Sequence, residues 1–515
     1  MAPTTAFITN SAADDVDMPW SPENLPTKLF INNEYIDSKS DKYIAVYDPK
    51  DGTLVSNRVA LADEQDIEDA VDGAEAAFPA WRKTPPDVRR DMLLNLASLV
   101  HKHAASLAAM TRLTLGAPVS GMGAMEVASA VEALRYFAGW TDKLSGETFP
   151  DEDGFFKIVR QEPLGVTCGI IAWNAPIAGF CTKAGPALAT GNCFILKLSE
   201  KTPFAGLAMG SLIKAAGFPA GVLQVLSGDG STGAVISSHK RIRKVSFTGS
   251  TLTGKKIQEA AARSNLKRVT LELGGKSPAL VFDDADIENA ATWCVGAVTM
   301  NTGQACFAAT RVYVQSGVHT AFVARYKAMI EEKTQLVGNP DDPKTFIGPV
   351  VDQSQFDRVM GFIQRGKNQG KLLVGGNRLQ DKARPLQSGG TTAVPGFYIA
   401  PTVFLDVAED AEIIRQEIFG PVAIINRFES EEEVLRLAND TPYGLMAGIF
   451  TKDVTRAMRL AAELDSAMVG VNTVSTSFLQ TPFGGTKQSG IGRENGIHAI
   501  RSYTEPKTVY IDMNA

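Results

Sequence analysis

From Gly165 onward the chain alternates short apolar runs with helical stretches, and this alternation restricts the fold more than any other feature of the sequence. The runs GVTCGIIAW, NCFILKL, GVLQVLSG, RKVSFTGS, RVTLELGG and PALVFDD have the length and apolar content of strands buried on both faces, while AGLAMGSLIKAAG and GKKIQEAAARS carry helical periodicity. A parallel strand pair needs a crossover of about a dozen residues or more, normally a helix, so the order strand, helix, strand implies a parallel sheet covered by helices. Further on, RVYVQS, PTVFLD, VAIINRF and AGIFT repeat the alternation less regularly, which implies a second α/β layer.

The flanking segments have another texture. Residues 25 to 60 read as short strands and turns (LFINNEYID, then YDPKDG), helical periodicity runs from about Asp63 to Tyr136, and residues 1 to 24 read as a loose N-terminal tail. Residues 145 to 162, SGETFPDEDGFFKIVRQE, read as a hairpin turning at Asp151 to Gly154, and TEPKTVYIDM as one more strand. Exposed strand edges invite pairing, so partner subunits are expected to cover both. The stretch Gly366 to Gly396, rich in Gly, Lys, Arg and Gln without periodicity, reads as a surface loop.

Charge and composition narrow the partner. With 51 Lys and Arg against 57 Asp and Glu the formal charge is −6, and no basic block suits nucleic acid or an anionic membrane. At 515 residues and 44% apolar content the chain has enough core to fold without staples. No apolar run approaches the roughly 18 residues of a membrane span. The opening MAPTTAFITNSAADDVDMPW lacks the basic n-region of a secretion leader, and Asp14, Asp15 and Asp17 do not suit a mitochondrial transit peptide, so a cytoplasmic location is expected. Cys168, Cys181, Cys193, Cys294 and Cys306 match neither a zinc nor a disulfide spacing, and His101 and His103, two apart on a helix, do not face each other. No metal site is expected, and a small-molecule partner remains.

Three glycine-rich stretches each suggest a nucleotide site. Gly228, Gly230 and Gly233 form G-x-G-x-x-G after GVLQVLS, but VSFTGST lacks the acid expected at the end of the next strand, so a plain turn is the stronger reading. Gly249-Ser-Thr-Leu-Thr-Gly254-Lys255-Lys256 fits G-x-x-x-x-G-K, yet Lys256 stands where a P-loop needs Ser or Thr for Mg²⁺. What survives is a helix N-terminus whose amides and dipole suit a dinucleotide pyrophosphate, with a tight βα turn as the alternative. Lys197-Leu-Ser-Glu200 ends the strand NCFILK, where open α/β sheets bind ligands. There Glu200 can accept hydrogen bonds from a ribose diol and would repel a 2′-phosphate, which favours NAD over NADP; the alternative is a solvated charged loop.

Glu272-Leu-Gly-Gly-Lys-Ser-Pro278 is followed, past a helix, by Asn301-Thr-Gly-Gln304-Ala-Cys306-Phe-Ala-Ala-Thr-Arg311. A free thiol has a pKa near 8.5, so a nucleophilic cysteine needs local positive potential or a base, and helix-end and turn amides near Cys306 are the candidate source. Cys168, Cys193 and Cys294 read as inert core packing, and Cys181 fits either reading.

Taken in order, Trp173-Asn174-Ala-Pro176, Lys197 with Ser199 and Glu200, Phe247-Thr-Gly-Ser250, Glu272-Leu-Gly-Gly-Lys276, Gly303-Gln304-Ala-Cys306, Glu417-Ile-Phe419-Gly-Pro421, and Pro482-Phe-Gly-Gly485 with Lys487, Ser489, Gly490 and Gly492-Arg-Glu494 resemble the NAD(P)-dependent aldehyde dehydrogenase superfamily from about residue 28 to the end. The resemblance implies a Rossmann-like NAD-binding domain from residues 25–144 and 163–273, with 476–498 returning to it. It also implies a second α/β catalytic domain over 274–475, and a small β oligomerisation flap from 145–162 and 499–515 in a homodimer or homotetramer.

The same resemblance implies roles that the chemistry wants. Cys306 attacks the aldehyde carbon, and the Asn174 side-chain amide with the Cys306 N–H forms the oxyanion hole. Glu272 is the general base for thioester hydrolysis, needs a pKa raised by burial, and favours a free acid over transfer to coenzyme A. For NAD the implied contacts are Lys197 and Glu200 at the adenine ribose, Gly249 and Ser250 near the pyrophosphate, Glu417 at the nicotinamide ribose, and Phe419 against the ring, with Trp173 and Gly233 nearby. Leu198 and Ala309 depart from commoner members and the loop at 376–396 is longer, none of which touches the chemistry. Ala175 stands where many members carry Phe or Tyr, and Thr182 and Ser477 are small as well. With Phe307 and Phe483 as further pocket walls, this predicts a bulky or aromatic aldehyde, unless Met300, Phe307 or Phe478 fills the space. The competing reading, a catalytically silent nucleotide-binding structural protein of the same fold, has no chemical need for Asn174, Glu272 and Cys306 together.

Overall fold

The structure is a computed structural model and describes residues 17–379 and 396–514. Two short strands, β1 (Leu29–Ile31) and β2 (Glu34–Ile36), and a ribbon of β3 (Tyr43–Tyr47) with β4 (Leu54–Ala60) precede four helices, α1 (Glu64–Trp81), α2 (Pro86–Lys102), α3 (Ala104–Leu115) and α4 (Ala124–Ala138). Asp63 and Asp66 close a reciprocal capping box on α1, and Gly116 ends α3 in the left-handed conformation. After the hairpin β5 (Glu147–Phe149) and β6 (Phe155–Pro163), the expected alternation runs β7 (Val166–Ile170), α5 (Pro176–Ala189), β8 (Cys193–Leu198), α6 (Phe204–Ala215), β9 (Leu223–Ser227), α7 (Gly230–Ser238), β10 (Lys244–Thr248), α8 (Thr251–Ser264), β11 (Arg268–Glu272).

β7 to β11 form the parallel centre of an eight-stranded sheet, ordered β9-β8-β7-β10-β11, with β1 added antiparallel beyond β9 and β2 beyond β1. β7, β8 and β9 are buried along their whole length, as helices on both faces require. The chain then passes through Leu273 to Lys276 into a seven-stranded sheet, ordered β14-β15-β16-β13-β12-β18-β19. Its strands are β12 (Ser277–Val281), β13 (Ala309–Gln315), β14 (Lys371–Val374), β15 (Thr402–Leu405), β16 (Val422–Phe428), β18 (Met446–Phe450) and β19 (Met468–Val471), parallel except for β14. Helices α9 (Ile287–Thr299), α10 (Ser316–Thr334) and α11 (Gln353–Gly366) belong to this half. β17 (Tyr443–Gly444) pairs with β20 (Thr486–Lys487), and β21 (Gly490–Ile491) returns the chain to the first sheet beside β11.

The two stretches assigned to the flap pair with each other: β22 (Thr504–Asp512) runs antiparallel to β6, Thr504 opposite Pro163 and Asp512 opposite Phe155, with β5 on the far side, so the edges left open are those of β5 and β22. The hairpin turn is where expected, Gly154 N donating to Asp151 O at 2.9 Å, but residues up to Ser502 belong to a helix, not to the flap strand. Residues 17–24 of the expected loose tail are tied down: Trp20 Nε1 donates to the Tyr35 hydroxyl at 3.0 Å and the rings meet edge to face. Within the expected loop, Lys371–Val374 is β14, because the apolar run Leu372 to Val374 can pair on the edge of β15; residues 380–395 lie outside the described residues. Among the described residues no helix is long and apolar enough to cross a membrane, and no group of His, Cys, Asp and Glu is arranged to hold a metal ion.

Candidate active site

A crevice of about 460 Å³ opens where the C-terminal ends of β7, β10 and β11 meet the second sheet. Trp173 and Asn174 reach it from the turn after β7, Thr248 to Leu252 from the turn into α8, Glu272 from the end of β11, Cys306 from the segment before β13, and Glu417 and Phe419 from the turn before β16. Ligands of open α/β sheets bind at this end of the strands. The three proposed catalytic side chains therefore line one cavity together with the expected Trp173, Gly249, Ser250, Glu417 and Phe419.

The segment leading to Cys306 is held in an unusual shape. Asn301, Thr302 and Gly303 are left-handed in succession (φ +48, +57 and +70), and a Cβ on Gly303 would lie 2.2 Å from the Gly420 carbonyl oxygen, so only glycine fits. Gln304 locks the turn from inside, its Nε2 donating to Asn301 O at 3.1 Å and its Oε1 accepting from Val351 N at 2.9 Å. Asn174 is clamped to the same turn: its Nδ2 donates to Gln304 O at 3.1 Å, and Asn301 Nδ2 donates to the Asn174 carbonyl at 3.1 Å. One N–H of the Asn174 amide remains for an oxygen held at Cys306.

Electrostatics separate the roles. Burial, Glu417 and Glu272 push the Cys306 thiol up, and the backbone amides of Cys306 and Phe307 oppose this without winning. The expectation that turn amides activate the sulfur is thus met only in sign. Glu272 is 2% exposed with neither carboxylate oxygen hydrogen-bonded, and burial and the Glu494 charge hold it well above the usual carboxylate range against Lys183 and Arg493. Such a group holds its proton more tightly than an exposed glutamate does. Glu417 accepts from Gly275 N at 3.0 Å and is pushed up to about 7 by burial, against that amide, Arg358 and Lys276.

The residues expected at the cofactor divide between two places. Ser250 caps α8 by accepting from Thr253 N at 3.3 Å, no acid sits in the first turn, and Arg358 adds positive charge across the crevice. That donor set fits a dinucleotide pyrophosphate. Lys255 turns away to Gln488 Oε1 at 3.0 Å in a separate cleft, which removes the P-loop alternative. Lys197 and Glu200 pair at 3.8 Å at the end of β8, outside the crevice walls, and Asp229 at the end of β9 also acts on Lys197. Gly233 lies inside α7, facing open space, and not on the crevice. Trp173 meets Phe419 edge to face at 5.2 Å. Gln355, Arg358 and Tyr443 also line the crevice; no motif pointed to them, because each is an ordinary polar residue made functional by its turn or helix.

The expected substrate-pocket residues come from α5, from the segment after Cys306 and from the C-terminal segment: Phe307 and Phe483 meet edge to face at 5.9 Å, Ala175 sits at the start of α5, Thr182 is half-buried within it, and Ser477 is exposed. An apolar chamber of about 170 Å³ lies on the Asn301 side of the cysteine turn, walled by Met122, Met125, Trp293, Met300 and Phe346. Ser475 shares its wall and braces the turn, accepting from Ala309 N at 3.0 Å and donating to Phe307 O at 2.9 Å.

Residues 35–509 match the family model described as the aldehyde dehydrogenase family. The chain belongs to that family. An aldehyde dehydrogenase of Davidiella tassiana is 44% identical over 489 residues, covering 94% of this chain and 95% of the relative. Retinaldehyde dehydrogenase 3 of Homo sapiens is 44% identical over 492 residues, covering 95% and 93%. Among solved structures, a mutant of the P. syringae AldA indole-3-acetaldehyde dehydrogenase in complex with NAD⁺ and IAA superposes with a TM-score of 0.90 at 34% identity, covering 98% of both chains. This aldehyde dehydrogenase is accordingly an oxidoreductase of aldehydes using NAD(P), with the family's paired nucleotide-binding and catalytic α/β halves.

Proposed function

We propose that the protein oxidises a bulky, largely apolar aldehyde to the free carboxylic acid with NAD, through Cys306, Glu272 and Asn174. The Cys306 thiol loses its proton to solvent, and the sulfur adds to the carbonyl carbon to give a thiohemiacetal. Its oxyanion receives the free N–H of Asn174 and the backbone N–H of Cys306. NAD would be held by Ser250, Lys197, Glu200 and Glu417 and would supply the acceptor for the hydride that the thiohemiacetal carbon gives up. The thioester left on Cys306 is then cleaved by a water whose proton goes to Glu272, releasing the acid and the thiol. The observation that carries this reading is the convergence of Cys306, Glu272 and Asn174, from three distant segments, on one crevice.

A bulky substrate is supported by the apolar chamber and by relatives named for retinaldehyde and indole-3-acetaldehyde. NAD over NADP is supported by the Glu200 carboxylate beside Lys197. A homodimer or homotetramer is supported by the outer edges of β5 and β22 and by exposed Phe149, Phe155, Tyr510 and Ile511 on the flap. The test is NADH formation at 340 nm with aromatic, long-chain and short aldehydes. The expected result is a higher kcat/KM for the large apolar aldehydes and none for Cys306→Ala; undiminished turnover in that variant would refute the nucleophile.

A further inference from the structure

Helix α5 begins without a cap of its own: Ala175 occupies the cap position and Pro176 the first turn, so the next backbone N–H groups have no partner within the helix. Glu126 supplies one from α4. Its Oε1 accepts from Ile177 N at 2.5 Å and from Ala178 N at 3.3 Å. The side chain is 2% exposed, its Oε2 is hydrogen-bonded to nothing, and burial pushes the carboxyl up to about 7 against those two amides and the Thr111 hydroxyl beside it. Burying a carboxyl this deeply is costly, and a Ser or Asp at position 175 would cap the helix locally at the surface of the turn. A cap reaching across from α4 does something a local cap does not: it fixes α5 against α4. The residue just ahead of that capped turn is Asn174.

Resting on the reaction proposed above, we infer that Glu126 is a positioning residue for the oxyanion donor, setting where the Asn174 amide stands relative to Cys306 by capping α5 from α4. Losing an oxyanion donor outright typically costs about 10²- to 10³-fold, and misplacing it costs part of that. Glu126→Ala is therefore expected to lower kcat/KM for an aldehyde roughly tenfold, with Glu126→Gln, which keeps an acceptor for both N–H groups, close to the unmodified enzyme. The deciding measurement is a double-mutant cycle with Asn174→Ala, in which Glu126→Ala should cost less than about twofold. Alkylation of Cys306 by iodoacetamide, which forms no oxyanion, should keep its rate in Glu126→Ala. Equal losses in the two backgrounds, a Gln variant as impaired as Ala, or alkylation slowed in step with turnover would each overturn the inference. If Glu126→Ala folds poorly, Glu126→Met, which fills the volume without an acceptor, takes its place in the cycle. Absence of NADH formation by the unmodified chain would sink the reaction itself and is read separately.

Discussion

Lys183 and Glu494 form a buried ion pair completed by Ser246: the ammonium contacts the carboxylate and lies 3.0 Å from Ser246 Oγ, which donates to Glu494 Oε1 at 2.9 Å. Both charges reach Glu272, Glu494 raising its carboxyl and Lys183 lowering it. With Glu272 as the proposed base, acting as a carboxylate, a raised pKa makes the hydrolysis rate climb with pH where an ordinary glutamate would leave it flat above about pH 6. Glu494→Gln removes the like charge and is expected to move that rising limb to lower pH, and Lys183→Met to move it higher. Steady-state kcat across pH with one aldehyde checks both; shifts of the opposite sign, or none, would mean that the pair does not govern the base.

Glu272→Gln keeps the size of the side chain and removes its ability to take a proton from water. The acyl-enzyme should still form, so a stopped-flow trace is expected to show a burst of NADH approaching one equivalent per site, followed by turnover lowered by about 10²-fold or more. Steady turnover at the unmodified rate would assign thioester hydrolysis to another group.

Gly296 on α9 lines the apolar chamber, and a Cβ there meets nothing within 4 Å. Gly296→Leu should fill the chamber without straining the helix, and glycine is among the poorer helix formers, so thermal stability is expected to hold or rise. If the chamber takes the body of the substrate, kcat/KM for decanal falls roughly tenfold or more, since a few displaced methylene contacts are worth about 1–3 kcal/mol, while acetaldehyde is unaffected. Equal effects on both aldehydes would remove the chamber from the substrate path.

How much of this was legible beforehand follows from which forces act locally. The strands around Cys168, Phe194 and Val225 were readable because strands buried on both faces are written as continuous apolar runs. Cys306, Glu272 and Asn174 stood out through the resemblance of the motifs around them, and for Cys306 the motif has a physical cause at Gly303, where no side chain fits. Glu126, Lys183 and Arg358 were not, since a single charged residue on a helix looks the same in sequence whether it meets solvent or a buried partner from a remote segment. That β22 and β6 belong to one flap came from the resemblance alone, since each stretch has the pattern of an edge strand and nothing in either names its partner or register.

On the proposed binding of NAD, Lys197 and Glu200 make cofactor preference a matter of charge. Around the buried ammonium stand two acids, Glu200 at 3.8 Å and Asp229, which caps α7 by accepting from Ser231 N at 2.8 Å. A ribose diol can donate to such carboxylates, whereas a 2′-phosphate would bring about two more negative charges to a site already short of positive ones. Glu200→Gln removes one of the repelling charges and keeps an acceptor oxygen. With solvent screening, one charge a few ångströms away is worth about 1–2 kcal/mol, so NADP⁺ affinity should rise roughly tenfold while NAD⁺ affinity changes only a few-fold. Equilibrium titration of both dinucleotides, followed by quenching of protein fluorescence, measures this without any turnover. The gain for NADP⁺ should shrink as salt is raised, and an equal change for the two dinucleotides would show that Glu200 does not face the 2′ position.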